Sequence, residues 1–157
     1  NYKYNNLIIF IIIMSKTYIP PNLSSNNKKK QRNYINKSKK LYKQNKYFIR
    51  PKIKSFKSKT SRHITKAYKL YNIKSMTPSK LLEKKTGCST KGLNQIIKKG
   101  EGAYYSSGSR PNQTAQSWAY ARLASALTGG NSSKVDYHIL EKECKKNSLA
   151  LKLAKKN

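Results

Sequence analysis

Five side chains between residues 90 and 98 carry the clearest chemical signal in this chain. Thr90, Lys91, Asn94, Gln95 and Lys98 fall on one face of a helical pattern. Asn and Gln amides can bond bidentately to adenine, and Lys reaches guanine or a phosphate, so such a face suits the reading of nucleic acid. A second group, Ser106, Ser107, Ser109 and Arg110, runs into another helical pattern. There, free backbone N–H groups, the positive helix end and a guanidinium would converge on a phosphate. Tyr104 and Tyr105 beside it can stack on bases, or pack inward to fill an Ω-like connection. A third group is purely cationic: Lys28, Lys29, Lys30, Arg32, Arg50, Lys52, Lys54, Lys57 and Lys59.

The same residues argue against catalysis. Ser106, Ser107 and Ser109 have no nearby His or acid to activate a nucleophile. Carboxylates that might hold a metal are absent before Glu83 and scattered after it. The glycines after Lys99 lack the spacing of a phosphate-binding P-loop. Cys88, Cys144, His63 and His138 lack the close pairing of zinc ligands. The expectation is a non-enzymatic protein with no cofactor and no metal, its two cysteines separate buried thiols in reducing surroundings.

Charge points to the partner. The 157 residues carry 35 Lys and Arg against 5 Asp and Glu, a formal net charge of +30. Solubility alone does not call for so large a surplus in a small domain. The acids, Glu83, Glu101, Asp136, Glu141 and Glu143, all lie in the second half. A segment of one sign cannot neutralise itself and calls for a polyanion. Nucleic acid comes first, DNA before RNA, and an anionic membrane surface second.

The elements that would position these groups follow from local signals. Leu7 to Ile13 is too short for the ~20 residues of a membrane span, and no cleavage signal follows it. Every residue from Asn1 to Ile13 can be encoded by A and T alone, and Met14 has the look of a natural start. Residues 1–13 therefore read as translated upstream sequence rather than a functional leader. Pro20 and Pro21 bar helix. Ser24 or Ser25 then caps a helix running to about Asn45, with Tyr34, Ile35, Ser38, Leu41 and Tyr42 on one face. Its other faces are either simply solvated or laid on phosphates. From Tyr47 to Lys59 apolar and basic residues alternate, as a strand or an arm, with Phe48, Ile53 and Phe56 inward and Arg50, Lys52, Lys54 and Lys57 outward. Ser61 caps a helix that carries Ile64, Ala67, Tyr68 and Tyr71 inward and ends at Asn72.

The central motif begins at Thr77 and Pro78, read as cap and first helical residue. Leu81 and Leu82 follow, and Gly87 suits a left-handed helix end. Ser89 caps the next helix, which turns Leu93, Ile96 and Ile97 inward and stops at Gly100; Cys88 plugs the turn. The pair resembles a helix-turn-helix, with the candidate reading face on its second helix. Glu83 departs from that pattern, since a small Ala is usual where the helices touch. Gly92 weakens the second helix by roughly 1 kcal/mol relative to Ala. A tight αα-hairpin used only for packing is the alternative. Residues 100 to 114 read as a loop, followed by a helix from Pro111 or Thr114 to Leu127, with Trp118 in the core and Arg122 pointing back toward the loop. A helix then spans Lys134 to Cys144, with Val135, Ile139, Leu140 and Cys144 inward and a strand through Val135 to Leu140 as the alternative, and the tail frays.

The segment from Lys99 to Ser125, with Thr128-Gly129-Gly130 and Lys134 to Leu140, resembles a domain family of unknown function associated with large DNA viruses of algae and protists. The resemblance extends back to about Tyr18. It implies an AT-rich viral genome, a start at Met14 and an intracellular setting, in the virion or the infected cell's nucleus or cytoplasmic viral factory. It implies no activity. The sequence thus predicts a mainly α protein: a basic helical and extended arm over 14–75, a compact helical domain with a helix-turn-helix-like pair over 76–147, and a basic tail over 148–157. Its expected role is nucleic-acid binding, with no transmembrane segment. The alternative is a structural virion protein whose arm bridges capsid proteins or lies on an anionic inner membrane.

Overall fold

The computed structural model describes residues 18–157, so the reading of residues 1–13 and of the start at Met14 falls outside it. Among the described residues the chain is mainly helical, with eight helices and no strand. It divides into two compact units: residues up to Ser58 with Ala103–Thr114, and Lys59–Gly102 with Ala115–Asn157.

The first unit is built around α1 (Ser25–Tyr42), whose N-terminus is capped by Ser24 accepting from the Asn27 N–H at 3.3 Å. Gln31, Ile35 and Ser38, at four- and three-residue steps, form its buried stripe. The alternating segment after Tyr47 is not a strand, since among the described residues no strand pairs with it. The Asn112 side chain pins it instead, accepting from the Ile53 N–H at 2.7 Å and donating to the Ile53 and Phe56 carbonyls at 3.1 and 2.8 Å. Ile53 is buried as the alternation predicts.

The second unit holds α2 (Arg62–Tyr71), α3 (Lys80–Thr86), α4 (Thr90–Ser106) as far as Gly102, α5 (Ala115–Leu127), α6 (Asn131–Val135), α7 (Tyr137–Glu143) and α8 (Leu149–Lys155). α5, rich in Ala, lies against α2, α6 and α8. Its Ala119, Leu123, Ala124 and Leu127 are fully buried, and Leu82, Leu93 and Ile96 join the same core. Ala67 and Tyr71 of α2 also belong to that core, so this helix is part of the compact unit and not of an arm ending at residue 75. Asn72 ends α2 in the left-handed conformation, φ 49°.

Several expectations are corrected here. Ser79, not Thr77, caps α3, accepting from the Leu82 N–H at 3.2 Å; Thr77 instead bonds the Tyr120 hydroxyl at 3.1 Å. Gly100 does not end α4, which runs six residues further. A Cβ there would lie 2.6 Å from the Ala119 Cα, so this glycine marks the close crossing of α4 and α5. Gly92 marks a close approach of α4 to the end of α7, where a Cβ would lie 2.4 Å from that of Glu143. The predicted helix over 134–144 breaks at Asp136 into α6 and α7, which leaves Val135 exposed. The tail does not fray: Ser148 caps α8, and Ala150, Leu151 and Ala154 are buried. Trp118 is only partly buried, because the small Ala positions of α5 face the core instead. Cys88 and Cys144 are not separate thiols; they face each other across a lone antiparallel bridge and form a disulfide.

Candidate nucleic-acid interface

The turn between α3 and α4 is built from the residues its sequence predicts. Gly87 adopts φ 73° and returns its N–H to the Glu83 carbonyl. Ser89 caps α4 through the Gly92 N–H at 3.1 Å, and its own hydroxyl donates to Glu143 at 2.6 Å. Cys88 is buried in the turn. Glu83 now has a reason: its carboxylate accepts from the Thr90 N–H at 3.0 Å and from the Thr90 hydroxyl. An anion thus sits at the N-terminus of α4, where orphan N–H groups and the helix dipole favour it. These hydrogen bonds hold the Glu83 carboxyl below its ordinary value.

That contact removes Thr90 from the candidate reading face. The remaining four stay available: Lys91, Asn94 and Lys98 are exposed and Gln95 is partly so. The Asn94 amide donates to the Thr90 carbonyl at 3.0 Å on its own helix, so that donor is already engaged. Nearby Lys99 is turned away from this face to Asp136, at 2.7 Å.

The second candidate group does not assemble as a phosphate site. Ser109 is fully buried, and its hydroxyl accepts from Arg50 at 2.8 Å while donating to the Arg110 carbonyl at 2.8 Å. Ser106 and Arg110 are exposed and Ser107 partly so, but Ser106 is still in helix and α5 begins only at Ala115. Tyr104 and Tyr105 are not free platforms for bases. Tyr104 is buried beneath the Arg50 guanidinium, 3.6 Å from its ring centroid, and Tyr105 stacks on Tyr42 at 5.8 Å and meets Tyr47 edge-on at 5.0 Å.

Arg50 is the largest departure within the cationic group. It points inward, 8 % exposed, rather than outward with the lysines. Its guanidinium donates to the Tyr104 carbonyl at 2.8 Å, to Ser38 Oγ at 3.2 Å and to Ser109 Oγ at 2.8 Å. A planar fork with several donors can satisfy three neutral acceptors and stack on a ring at once, which an ammonium cannot. Burial lowers the Arg50 pKa, and no carboxylate in its unit offsets that. One signal for this cage was present in the sequence: Ser38 lies on the apolar stripe of α1, and a buried hydroxyl needs a partner. Gln31, also on that stripe, ties α1 to the Tyr18 and Ser109 carbonyls at 3.0 and 3.1 Å.

The other members of the group stay outside. Lys29, Lys30, Arg32, Lys52, Lys54, Lys57 and Lys59 are exposed, and Lys28 is partly exposed. All except Lys59 belong to the first unit, together with Lys37, Lys40 and Lys43.

A family model, the family of unknown function DUF5824, matches residues 21–143. The chain belongs to that family. The DUF5824 match takes in α1 through α7 and stops short of α8, so the α3–α4 pair and the first unit from residue 21 onward lie inside it. No curated protein and no solved structure is significantly similar to the chain. Among the described residues, no helix is long and apolar enough to cross a membrane, and no cluster of three or more His, Cys, Asp and Glu side chains could hold a metal.

Proposed function

We propose that this chain is a non-enzymatic nucleic-acid-binding protein, DNA before RNA, in which the first unit neutralises phosphates and the outer face of α4 adds contacts to bases. The division of charge carries the reading. All five carboxylates lie in the second unit, and the first unit holds only cations. Opposite its buried stripe, α1 presents Lys29, Asn33, Asn36 and Lys40 at four-, three- and four-residue steps, all exposed. Such a face offers donors to phosphate oxygens and no competing acid. The setting in a large DNA virus of algae or protists comes from the sequence resemblance alone.

The test is a gel shift with duplex DNA, single-stranded DNA and RNA over a range of salt. With about six phosphate contacts, log affinity falls against log salt with a slope near −5. Replacing Asn94 and Gln95 by Ala lowers the preference between sequences and leaves non-specific affinity in place. A complex indifferent to salt refutes the reading.

The disulfide favours a second reading, a structural virion protein. Such bonds persist on virions and in other oxidising surroundings and are rare in a reducing cytosol. Here the basic unit would bridge capsid proteins or rest on an anionic inner membrane. Tighter binding to acidic liposomes than to duplex DNA at equal salt decides for it.

A further inference from the structure

Beside α1 lies a concavity of about 220 Å³, and it belongs wholly to the first unit. Arg32 and Lys39 line it from α1, with Ile35 and Asn36 between them along the helix, and Tyr18, Ile19 and Ser107 complete the lining. Seven residues separate the two cations, two helical turns, so they share one side of α1 about 10 Å apart along its axis. The floor between them is apolar, with a carboxamide and a hydroxyl at hand. Tyr18 is fixed where it stands: its carbonyl accepts from Gln31, and its ring lies over Gly108, where a Cβ would be 3.1 Å from Tyr18 Cδ2. Gly108 sits at φ 118°, a conformation open to glycine, and this lets the ring approach.

Two cations along a short, mostly apolar and hydrogen-bonding floor match a single nucleic-acid strand. Successive phosphates would sit on the cations, and a sugar or base would lie across Ile35 and Tyr18. A duplex keeps its bases stacked inside and can offer this concavity only its outer phosphates. We infer that the concavity is a single-strand site, taking one sugar–base unit between phosphates held by Arg32 and Lys39. This rests on the nucleic-acid reading above and adds to it a preference for unpaired strands.

Two paired variants of the full chain test it: Arg32→Gln with Lys39→Gln, and Lys29→Gln with Lys40→Gln. Each removes two charges from α1, but only the first pair lines the concavity. Binding is measured for a 12-residue oligothymidylate and for a 12-base-pair duplex at one salt concentration. On the single strand, the first pair loses about 30-fold in affinity and the second only a few-fold. On the duplex the two pairs lose alike. Equal losses on the single strand overturn the inference while leaving the nucleic-acid reading standing; a parent chain that binds neither polymer overturns both. An independent measurement irradiates the parent chain with a 5-iodouracil-substituted oligothymidylate. Cross-links fall in the peptide containing Tyr18, and cross-links confined to other peptides overturn the inference.

Discussion

Replacing Asp136 by Asn tests the strongest electrostatic link in the second unit. Its carboxylate is fully buried at the break between α6 and α7. Oδ1 lies 2.7 Å from Lys99 Nζ and 2.8 Å from Arg122 Nη2, and Oδ2 is 2.8 Å from Arg122 Nε. Asn keeps the shape but sets an NH₂ donor against other donors and strands two cations. Breaking a buried ion pair on one side costs about 3–5 kcal/mol. The Lys99 side chain is 38 % exposed and can turn to water, so about 3 kcal/mol is expected, near the lower end. For a unit of this size that lowers Tm by roughly 10–20 °C. Thermal melts followed by circular dichroism at pH 7 read it directly. Adding Arg122→Met to Asp136→Asn removes one stranded charge, so the double variant loses less than the sum of the singles by about 1 kcal/mol or more.

The same site sets an acid limit. Burial alone would raise the Asp136 carboxyl, but hydrogen bonds and charge from Arg122 and Lys99 outweigh it and hold the pKa below the ordinary value. The unfolded chain therefore takes up this proton first as pH falls. The contribution is complete above the unfolded value of about 3.9 and is lost as pH drops through the folded one. The parent chain loses stability below about pH 4. The Asp136→Asn chain keeps only the part due to other carboxylates, Glu83 among them, whose pKa is also depressed. A variant that melts within about 3 °C of the parent, less than 1 kcal/mol, or that shows the parent's full acid profile, refutes the reasoning.

Two further stability changes follow from close contacts. Gly100→Ala gains helix propensity but drives a Cβ into the Ala119 backbone, for a net loss of about 1–3 kcal/mol in urea unfolding; a neutral or stabilised variant would show that α4 and α5 have room to part. Reducing the Cys88–Cys144 bond, which spans 56 residues of sequence, costs about 2–4 kcal/mol, read as a lower Tm with dithiothreitol than without and reproduced by Cys88→Ser with Cys144→Ser.

What the sequence made legible was local. The Ser24 and Ser89 caps, the left-handed ends at Asn72 and Gly87, and the inward Leu93 and Ile96 each depend on residues within a turn or two. What it hid depends on partners far along the chain. Arg50 looks like one more outward cation until the Tyr104 carbonyl and ring, 54 residues on, are beside it. Gly100 reads as a helix stop because propensity sees only the lost side chain, whereas the deciding contact is Ala119. Glu83 looks like a flaw in a helix-turn-helix until the N-terminus of α4 is in place above it. The candidate site was legible in the same measure: exposed Lys91, Asn94 and Lys98 follow from helical phase, while the loss of Ser109 and Thr90 follows from contacts that phase cannot show.

The uneven placement of acids has a consequence for stability that the second unit makes measurable. There, Asp136 offsets Lys99 and Arg122, and Glu83 and Glu143 hold the start of α4. The first unit has no acid to play either part, and even its buried Arg50 rests on neutral oxygens and a ring. Its exposed cations repel one another over a screening distance of about 10 Å at 0.1 M salt. Raising salt from about 0.05 M to 0.5 M should shorten that reach and stabilise α1, while the buried Asp136 set, screened far less, changes little. Amide hydrogen exchange resolves the two: α1 amides from Gln31 to Lys40 should slow a few-fold, with α5 as the internal reference. A nucleic acid that binds the folded first unit should give the same pattern at lower ionic concentration, because mass action favours the bound fold. If α1 and α5 respond equally to salt, the cations of the first unit are already offset by something other than carboxylates, and the need for an external polyanion disappears with the repulsion.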